Sequence, residues 1–225
     1  MVKFERPDSS EAHVAIESLK REKRKGSGKY NTNEVNKALG LMFEHKCYLC
    51  EKKDLDNLQI EHLVPHRGNR DLMFDWENLF LSCNHCNNIK NDKFTPILDC
   101  TKVAVDKKIA FRRHSEPFMP DKLEITALED DVETRNTVAL LNEVYYGSTA
   151  QKIEEAKIIR KQLSKELNAF EECVTDYNAA DGEDKKDLEL SIMMKLKWNA
   201  PFAAFKRWMI RDASDKFPEL LKYCQ

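Results

Sequence analysis

The alternation of apolar and polar residues identifies one strand-containing segment in a chain that is otherwise helical. Residues 58–64 alternate well enough to predict a strand, and residues 78–82 predict a second one. A polar turn lies between them, and from Asn84 the chain can enter a helix. The pattern therefore predicts two strands followed by a helix.

Apolar residues at helical spacing predict further helices on both sides of this unit. Residues 31–34 fit a capping box, which predicts the start of a helix that precedes Cys47. Downstream, residues 108–112 predict a short strand, and helices are predicted over the following segments: 137–144, a long one from Thr149 to Tyr177, 188–198 and 202–210. Such stripes usually form a core, so we expect a helical bundle packed on itself.

The C-terminal helices leave a second interpretation open. Four large aromatic residues lie close together in the sequence: Trp198, Phe202, Phe205 and Trp208. Side chains of this kind are enriched at interface hot spots, so they are candidate anchors for a partner protein. Core packing is the competing explanation, because aromatic residues at helical spacing usually face inward.

Two Cys-x-x-Cys pairs bracket the predicted strands. Cys47 and Cys50 form the first pair, Cys83 and Cys86 the second, and 32 residues lie between Cys50 and Cys83. Four soft thiolates suit a tetrahedral Zn²⁺, and a closed four-sulfur site has no open position for water, so this zinc is expected to be structural. Disulfides or free thiols are the alternative, but the chain has seven cysteines, an odd number.

Four polar residues inside the cysteine loop can converge on one point. Glu61 and His62 lie on the first strand, Asn78 opens the second, and Asn87 lies in the first helical turn. Each one alone has a commoner role, as a strand histidine, a solvated charge, or a turn or cap residue. Their joint placement between the cysteines favours a functional site.

These residues resemble the HNH nuclease motif, also called the ββα-metal finger. The resemblance implies that His62 is the general base, that Glu61 and Asn87 hold a catalytic divalent metal, and that Asn78 orients the histidine through the backbone. A carboxylate and an amide oxygen are hard ligands that suit Mg²⁺ or Mn²⁺, and a histidine with a pKa near 6.5 can accept a proton near neutrality. Glu61 and Asn87 depart from the family pattern, in which Asp and His are commoner at these positions.

Charge gives weaker indications of a nucleic-acid surface. The net charge of −2 is low for a nucleic-acid binder, so local patches or a partner must supply positive charge. The best candidates are six basic residues of the N-terminal segment: Lys20, Arg21, Lys23, Arg24, Lys25 and Lys29. A solvated helix end explains them equally well. His66 and Lys90 are further candidate phosphate contacts, and His85, between two zinc ligands, is expected to be exposed.

The composition, 41% hydrophobic and 34% charged, is that of a soluble protein. No apolar run approaches a membrane span, and the N-terminus lacks a signal core, which favours a cytoplasmic protein. The expected fold is α+β, with three parts: a basic N-terminal segment and helix over residues 1–46, a zinc-stapled ββα nuclease finger over 47–100, and a mainly helical, partner-docking region over 101–225.

A second resemblance covers most of the chain. Residues 4–7 (Phe-Glu-Arg-Pro), 60–65 (Ile-Glu-His-Leu-Val-Pro) and 76–87, followed by a long helical tail, resemble the HNH subunit of Septu-type anti-phage defence systems, also found beside retrons. This resemblance implies a P-loop ATPase partner, and the chain itself carries no Gly-x-x-x-x-Gly-Lys-Ser/Thr motif. DNA is the expected substrate. RNA cleavage, or a non-catalytic zinc module that binds nucleic acid or protein, is the alternative.

Overall fold

The computed structural model describes residues 1–53 and 58–225. The helices of these residues are α1 Ser10–Lys23, α2 Asn33–Met42, α3 Arg70–Met73, α4 Asn84–Lys90, α5 Val105–Lys108, α6 Val132–Tyr146, α7 Ala150–Ala179, α8 Gly182–Leu196 and α9 Ala203–Asp212. The strands are β1 Leu58–His62, β2 Leu79–Cys83, β3 Ile109–His114 and β4 Lys122–Ala127, and short 3₁₀ turns cover Trp76–Asn78 and Pro218–Tyr223. The expected α+β class is confirmed.

The finger is an antiparallel strand pair followed directly by a helix. β1 pairs with β2 in a register that places Ile60 opposite Leu81 and His62 opposite Leu79. The side chain of Cys83 caps α4 by accepting a hydrogen bond from the N–H of Cys86 at 3.5 Å. The last strand residue is therefore also the helix cap and a zinc-ligand candidate, which fixes the turn between β2 and α4.

The N-terminal segment packs on the finger through an arginine. The guanidinium of Arg6 lies over the rings of Trp76 and Phe80, at 5.5 and 4.8 Å from their centroids. It also donates hydrogen bonds to the backbone oxygens of Glu77 and Leu79, at 3.1 and 2.9 Å. Arg6 thus ties residues far apart in sequence to the start of β2.

A second strand pair packs against the helices α6 and α9. β3 and β4 are antiparallel, with Phe111 opposite Ile125. β4 was not predicted, although Leu123 and Ile125 are buried and alternate with exposed residues along it. Two-residue periodicity over six residues was the signal that could have identified it.

The C-terminal aromatic residues pack inside the protein. Phe202 and Phe205 are 2% and 1% exposed, and the ring of Phe205 contacts Tyr145 of α6 and Phe111 of β3 edge-on, at centroid distances of 5.6 and 5.3 Å. The indole of Trp208 donates to the backbone oxygen of Asp106 at 2.9 Å. Phe202 and Phe205 are therefore core residues and not docking anchors, whereas Trp208 is half-buried against the same core.

Trp198 is also half-buried against this core, and its ring stacks on that of Phe4 at a centroid distance of 5.6 Å. The contact between Trp198 and Phe4 packs the N-terminal segment against the main core, which also includes residues of α6, α7 and α9. Within residues 1–53 and 58–225, none of the helices combines the length and the apolar composition that crossing a membrane requires.

Candidate active site

The four predicted zinc ligands form one buried cluster. Their sulfur atoms all lie within 4.8 Å of one another, and the sulfurs of Cys50 and Cys83 are 3.9 Å apart. Zn–S bonds of about 2.3 Å in a tetrahedron place sulfurs about 3.8 Å apart, so the cluster fits one zinc ion. Burial in the core strengthens this fit, because four thiolates removed from water require a compensating cation.

His85, between two of these cysteines, is buried and not exposed as expected. One ring nitrogen, Nδ1, lies 2.7 Å from a carboxylate oxygen of Glu155 in α7, and Nε2 lies 2.8 Å from the backbone oxygen of Val144 in α6. The prediction was wrong because both partners are distant in sequence. Through these two hydrogen bonds, His85 joins α4 to the helices α6 and α7.

A polar cleft of about 460 Å³ opens beside the strand pair. Four predicted site residues line it together: Glu61, His62, His66 and Asn87. The structure adds lining residues that sequence reasoning missed, namely Tyr30, Arg67, Asn88, Asn91 and Asp92. Tyr30 reaches the cleft from the loop after α1, and no local pattern signals that approach.

His62 is held in one orientation by its surroundings. Its Nε2 lies 3.1 Å from the backbone oxygen of Met73, and Nε2 must carry the hydrogen for this contact, which leaves Nδ1 as the basic nitrogen of the neutral ring. The rings of Tyr30 and His66 meet the imidazole edge-on at 4.6 and 4.7 Å. Burial lowers the pKa of His62, so the ring is neutral and able to accept a proton at pH 7.

Asn78 hydrogen-bonds to the segment that follows His62 and to Leu72, the neighbour of the hydrogen-bond acceptor of His62. Its Oδ1 accepts from the N–H of Val64 at 2.7 Å, and its Nδ2 donates to the backbone oxygens of Val64 and Leu72 at 2.9 and 3.0 Å. Val64 lies two residues after His62, and Leu72 precedes Met73, the hydrogen-bond acceptor of His62. These are the contacts that the predicted positioning role requires.

Glu61 and Asn87 offer the oxygen ligands expected for a catalytic metal. Both line the cleft, Asn87 is half-buried, and Glu61 is 6% exposed. Burial raises the pKa of Glu61 although the nearby Lys90 ammonium opposes that shift. One carboxylate with one amide oxygen suits Mg²⁺ or Mn²⁺ that keeps several waters or binds substrate phosphates.

Lys90 is fully buried, which corrects its predicted role as a phosphate contact. Its ammonium donates to Oε1 of Glu61 and to the backbone oxygen of His62, both at 2.7 Å. A side chain enclosed beneath the cleft cannot reach a nucleic acid. Lys90 instead joins α4 to the two adjacent site residues of β1.

His66 lies at the cleft wall with one nitrogen available. Its Nδ1 accepts from the N–H of Gly68 at 3.1 Å, so Nε2 carries the hydrogen of the neutral ring and can donate to a phosphate. Gly68 has a φ of +85°, a backbone conformation that side chains disfavour. The proposed phosphate contact of His66 remains a prediction.

The six basic residues of the N-terminal patch are all exposed, and four of them have acidic partners. The pairs are Lys20 with Glu17, Arg21 with Glu34, Lys23 with Asp71, and Lys25 with Glu22. Exposed pairs of this kind are weak and can exchange their partners for phosphates. A nucleic-acid role for the patch, including Arg24 and Lys29, stays a prediction.

Arg70 of the finger contacts the basic patch. Its guanidinium donates hydrogen bonds to the backbone oxygens of Lys23 and Lys25, at 2.5 and 2.7 Å. The loop held in this way continues to Tyr30 at the cleft. The basic residues therefore approach the cleft from one side.

The strand pair, the helix α4, the four-cysteine cluster and the cleft histidine lie within one continuous segment of the chain. Residues 47–93 match the HNH endonuclease family model. The matched segment begins at the first zinc cysteine and includes every cysteine of the cluster together with the four candidate catalytic residues. Comparison with curated proteins and with solved structures gave no match.

The HNH match indicates a metal-dependent nuclease activity for this finger. The four-cysteine cluster, which fits a structural zinc, lies within the matched segment and outside the cleft. The individual roles of Glu61, His62, Asn78 and Asn87 remain predictions that the geometry favours.

Proposed function

We propose that the protein is an HNH endonuclease that hydrolyses phosphodiester bonds of DNA with the aid of Mg²⁺ or Mn²⁺. The observation that carries this proposal is the hydrogen bond from Nε2 of His62 to the backbone oxygen of Met73. That bond leaves Nδ1 as a free base on a ring that shares a cleft with an acidic and an amide ligand.

The proposed chemistry assigns each residue one task. Nδ1 of His62 takes a proton from a water molecule, whose oxygen forms a bond to phosphorus while the bond from phosphorus to the leaving sugar oxygen breaks. Glu61 and Asn87 would hold the divalent ion, which supplies charge stabilisation at the phosphate and the leaving oxygen. Asn78 keeps the imidazole aimed by fixing the loop around Val64 and Leu72.

The wider context is also a proposal. The sequence resemblance to Septu-type HNH subunits supports a role as the nuclease effector of an anti-phage defence system in the cytoplasm. The same resemblance, the near-neutral net charge and the lack of a Walker motif support a separate P-loop ATPase that captures the substrate. Phe202 and Phe205 are buried, so the docking surface for this partner would use other residues.

A substrate panel tests the function. Zinc-loaded protein, alone and with the co-expressed product of a neighbouring ATPase gene, is incubated with plasmid, single-stranded DNA and tRNA in Mg²⁺, Mn²⁺ or EDTA. We expect metal-dependent cutting of DNA that increases with the ATPase. Cutting of tRNA alone would replace DNA with RNA as the substrate, and intact substrates under all conditions would favour a non-catalytic zinc module.

A further inference from the structure

The positively charged ammonium of Lys90 lies beside a proposed ligand of the catalytic metal ion. It is fully buried and lies 2.7 Å from Oε1 of Glu61, the only carboxylate among the proposed metal ligands. Among the described residues, no hydrogen bond engages the other oxygen, Oε2. Glu61 therefore has one oxygen to offer a cation, and its negative charge is already neutralised.

The remaining charges of the cleft also cancel. Arg67 and Asp92 both line it and approach each other to 3.7 Å. Glu61 and Lys90 are the second pair of opposite charges. Among the described residues at or directly beneath the cleft, the charges of the lysine, arginine, aspartate and glutamate side chains therefore add up to zero. Asn87 contributes a neutral ligand, and the four cysteines do not line the cleft.

We infer that Lys90 keeps the affinity of the free protein for the catalytic divalent ion low, so that the ion binds together with a nucleic-acid phosphate. The inference rests on the proposed nuclease function and deepens it. A neutral site with one free carboxylate oxygen and one amide oxygen gives a divalent cation little electrostatic stabilisation. The phosphate of the substrate supplies the missing negative charge and further oxygen ligands.

This arrangement also gives Lys90 a positioning role. Its second strong contact, to the backbone oxygen of His62, joins the general base and the ligand Glu61 to the same ammonium. Removing the charge while keeping the side-chain length should therefore separate two effects. Metal affinity should rise because the competing cation is gone, while alignment of Glu61 and His62 should loosen.

The experiment measures Mn²⁺ binding, not cleavage, so it stays informative if the protein proves not to be a nuclease. Free Mn²⁺ is followed by electron paramagnetic resonance in titrations of zinc-loaded His62→Ala protein, which should leave nucleic acid intact. The titration is repeated with a DNA duplex, after subtraction of the Mn²⁺ bound by the duplex alone. We expect the duplex to increase Mn²⁺ affinity at least tenfold, and unchanged affinity would overturn the inference.

A matched set of variants locates the effect. In the same background, Lys90→Met should bind Mn²⁺ at least tenfold more tightly without DNA, whereas Lys90→Arg should bind like the parent protein. Glu61→Gln should abolish the binding with and without DNA. Equal affinities of the Lys90→Met and parent proteins would contradict the inference, and the duplex titration of the parent decides it even if Lys90→Met does not fold.

Discussion

At the scale of single residues, the two asparagines among the predicted catalytic residues have different contacts. The side chain of Asn78 hydrogen-bonds to backbone groups of the loop that supports His62, whereas Asn87 lines the cleft. Both are amides, so sequence alone gives them similar chemistry. Their contacts predict that their variants fail for different reasons.

We expect Asn78→Ala to lower the cleavage rate about 100-fold, because displacing a catalytic group by about 1 Å has an effect of that size. The loss should persist at high Mn²⁺, since Asn78 is not among the residues that line the cleft. Asn87→Ala should also lose activity but recover part of it as Mn²⁺ is raised. Rate measurements over a metal titration test this, and superimposable curves for the two variants would argue against separate tasks.

The protonation state of His62 predicts the pH dependence of cleavage. Burial lowers the pKa of His62 below its ordinary value of about 6.5, so the base is already neutral at pH 7. Activity should rise with pH below 6.5 and change little between pH 7 and 8. Single-turnover rates at constant zinc content test this prediction, which an acid limb centred above pH 7 would contradict.

At the scale of elements, the four-cysteine cluster joins the segment before the strand pair to the start of α4. Cys47 and Cys50 precede the strand pair, and Cys83 and Cys86 join β2 to α4. A metal bound by both pairs therefore couples folding of the finger to zinc binding.

We expect Cys83→Ser to lose most of the roughly one zinc per chain and to lower the thermal midpoint on the order of 10 °C. Cys173→Ser is the matched control, since Cys173 is half-buried in α7 and outside the cluster. Elemental analysis and thermal unfolding measure both effects. Full zinc and an unchanged midpoint in Cys83→Ser would refute the assignment.

The sequence predicted those elements whose signals are local. Alternation identified β1 and β2, helical spacing identified α7, and the Cys-x-x-Cys pairs predicted the cluster. β4 also has a local signal, the alternation of buried and exposed residues along it, although it is not among the predicted elements. These successes share one cause, because each pattern spans only the residues of the element that it describes.

The errors concern contacts between segments that are distant in the chain. Lys90 looked like an exposed phosphate contact because its partner Glu61 lies 29 residues away. His85 looked exposed because Glu155 lies 70 residues away. Phe205 is a candidate anchor from sequence because no local pattern places the strand β3, which packs on it, beside the last helix. Periodicity shows which face of a helix or strand is buried. It does not show which other element packs against that face.

At the scale of the whole molecule, Glu51 joins the finger to the C-terminal helices. It is 2% exposed, lies beside the cluster residue Cys50, and accepts from the N–H of Ala204 at 2.9 Å and from Lys46 at 3.4 Å. Burial alone would raise the pKa of Glu51, but the ammonium groups of Met1 and Lys46 and the Ala204 N–H outweigh it and lower the pKa to about 2.

We expect Glu51→Gln to lower the free energy of unfolding by roughly 3 kcal/mol at pH 7, the usual effect of removing one partner of a buried ion pair. Because the folded pKa is depressed, this contribution is complete above the unfolded pKa of about 4.3 and is lost only as pH falls toward 2. Urea unfolding of both proteins at pH 7 measures this difference. An unchanged free energy of unfolding in Glu51→Gln would contradict the assignment.

The most direct test of the central claim compares two histidine variants. Single-turnover cleavage of plasmid DNA in Mn²⁺ is measured for the parent protein, for His62→Ala and for His114→Ala, whose exposed side chain pairs with Glu124 on β4 outside the cleft. With zinc content and thermal midpoint matched, His62→Ala should lose at least about 100-fold in rate because it lacks the general base, and His114→Ala should cut like the parent. Undiminished cutting by His62→Ala would contradict the account.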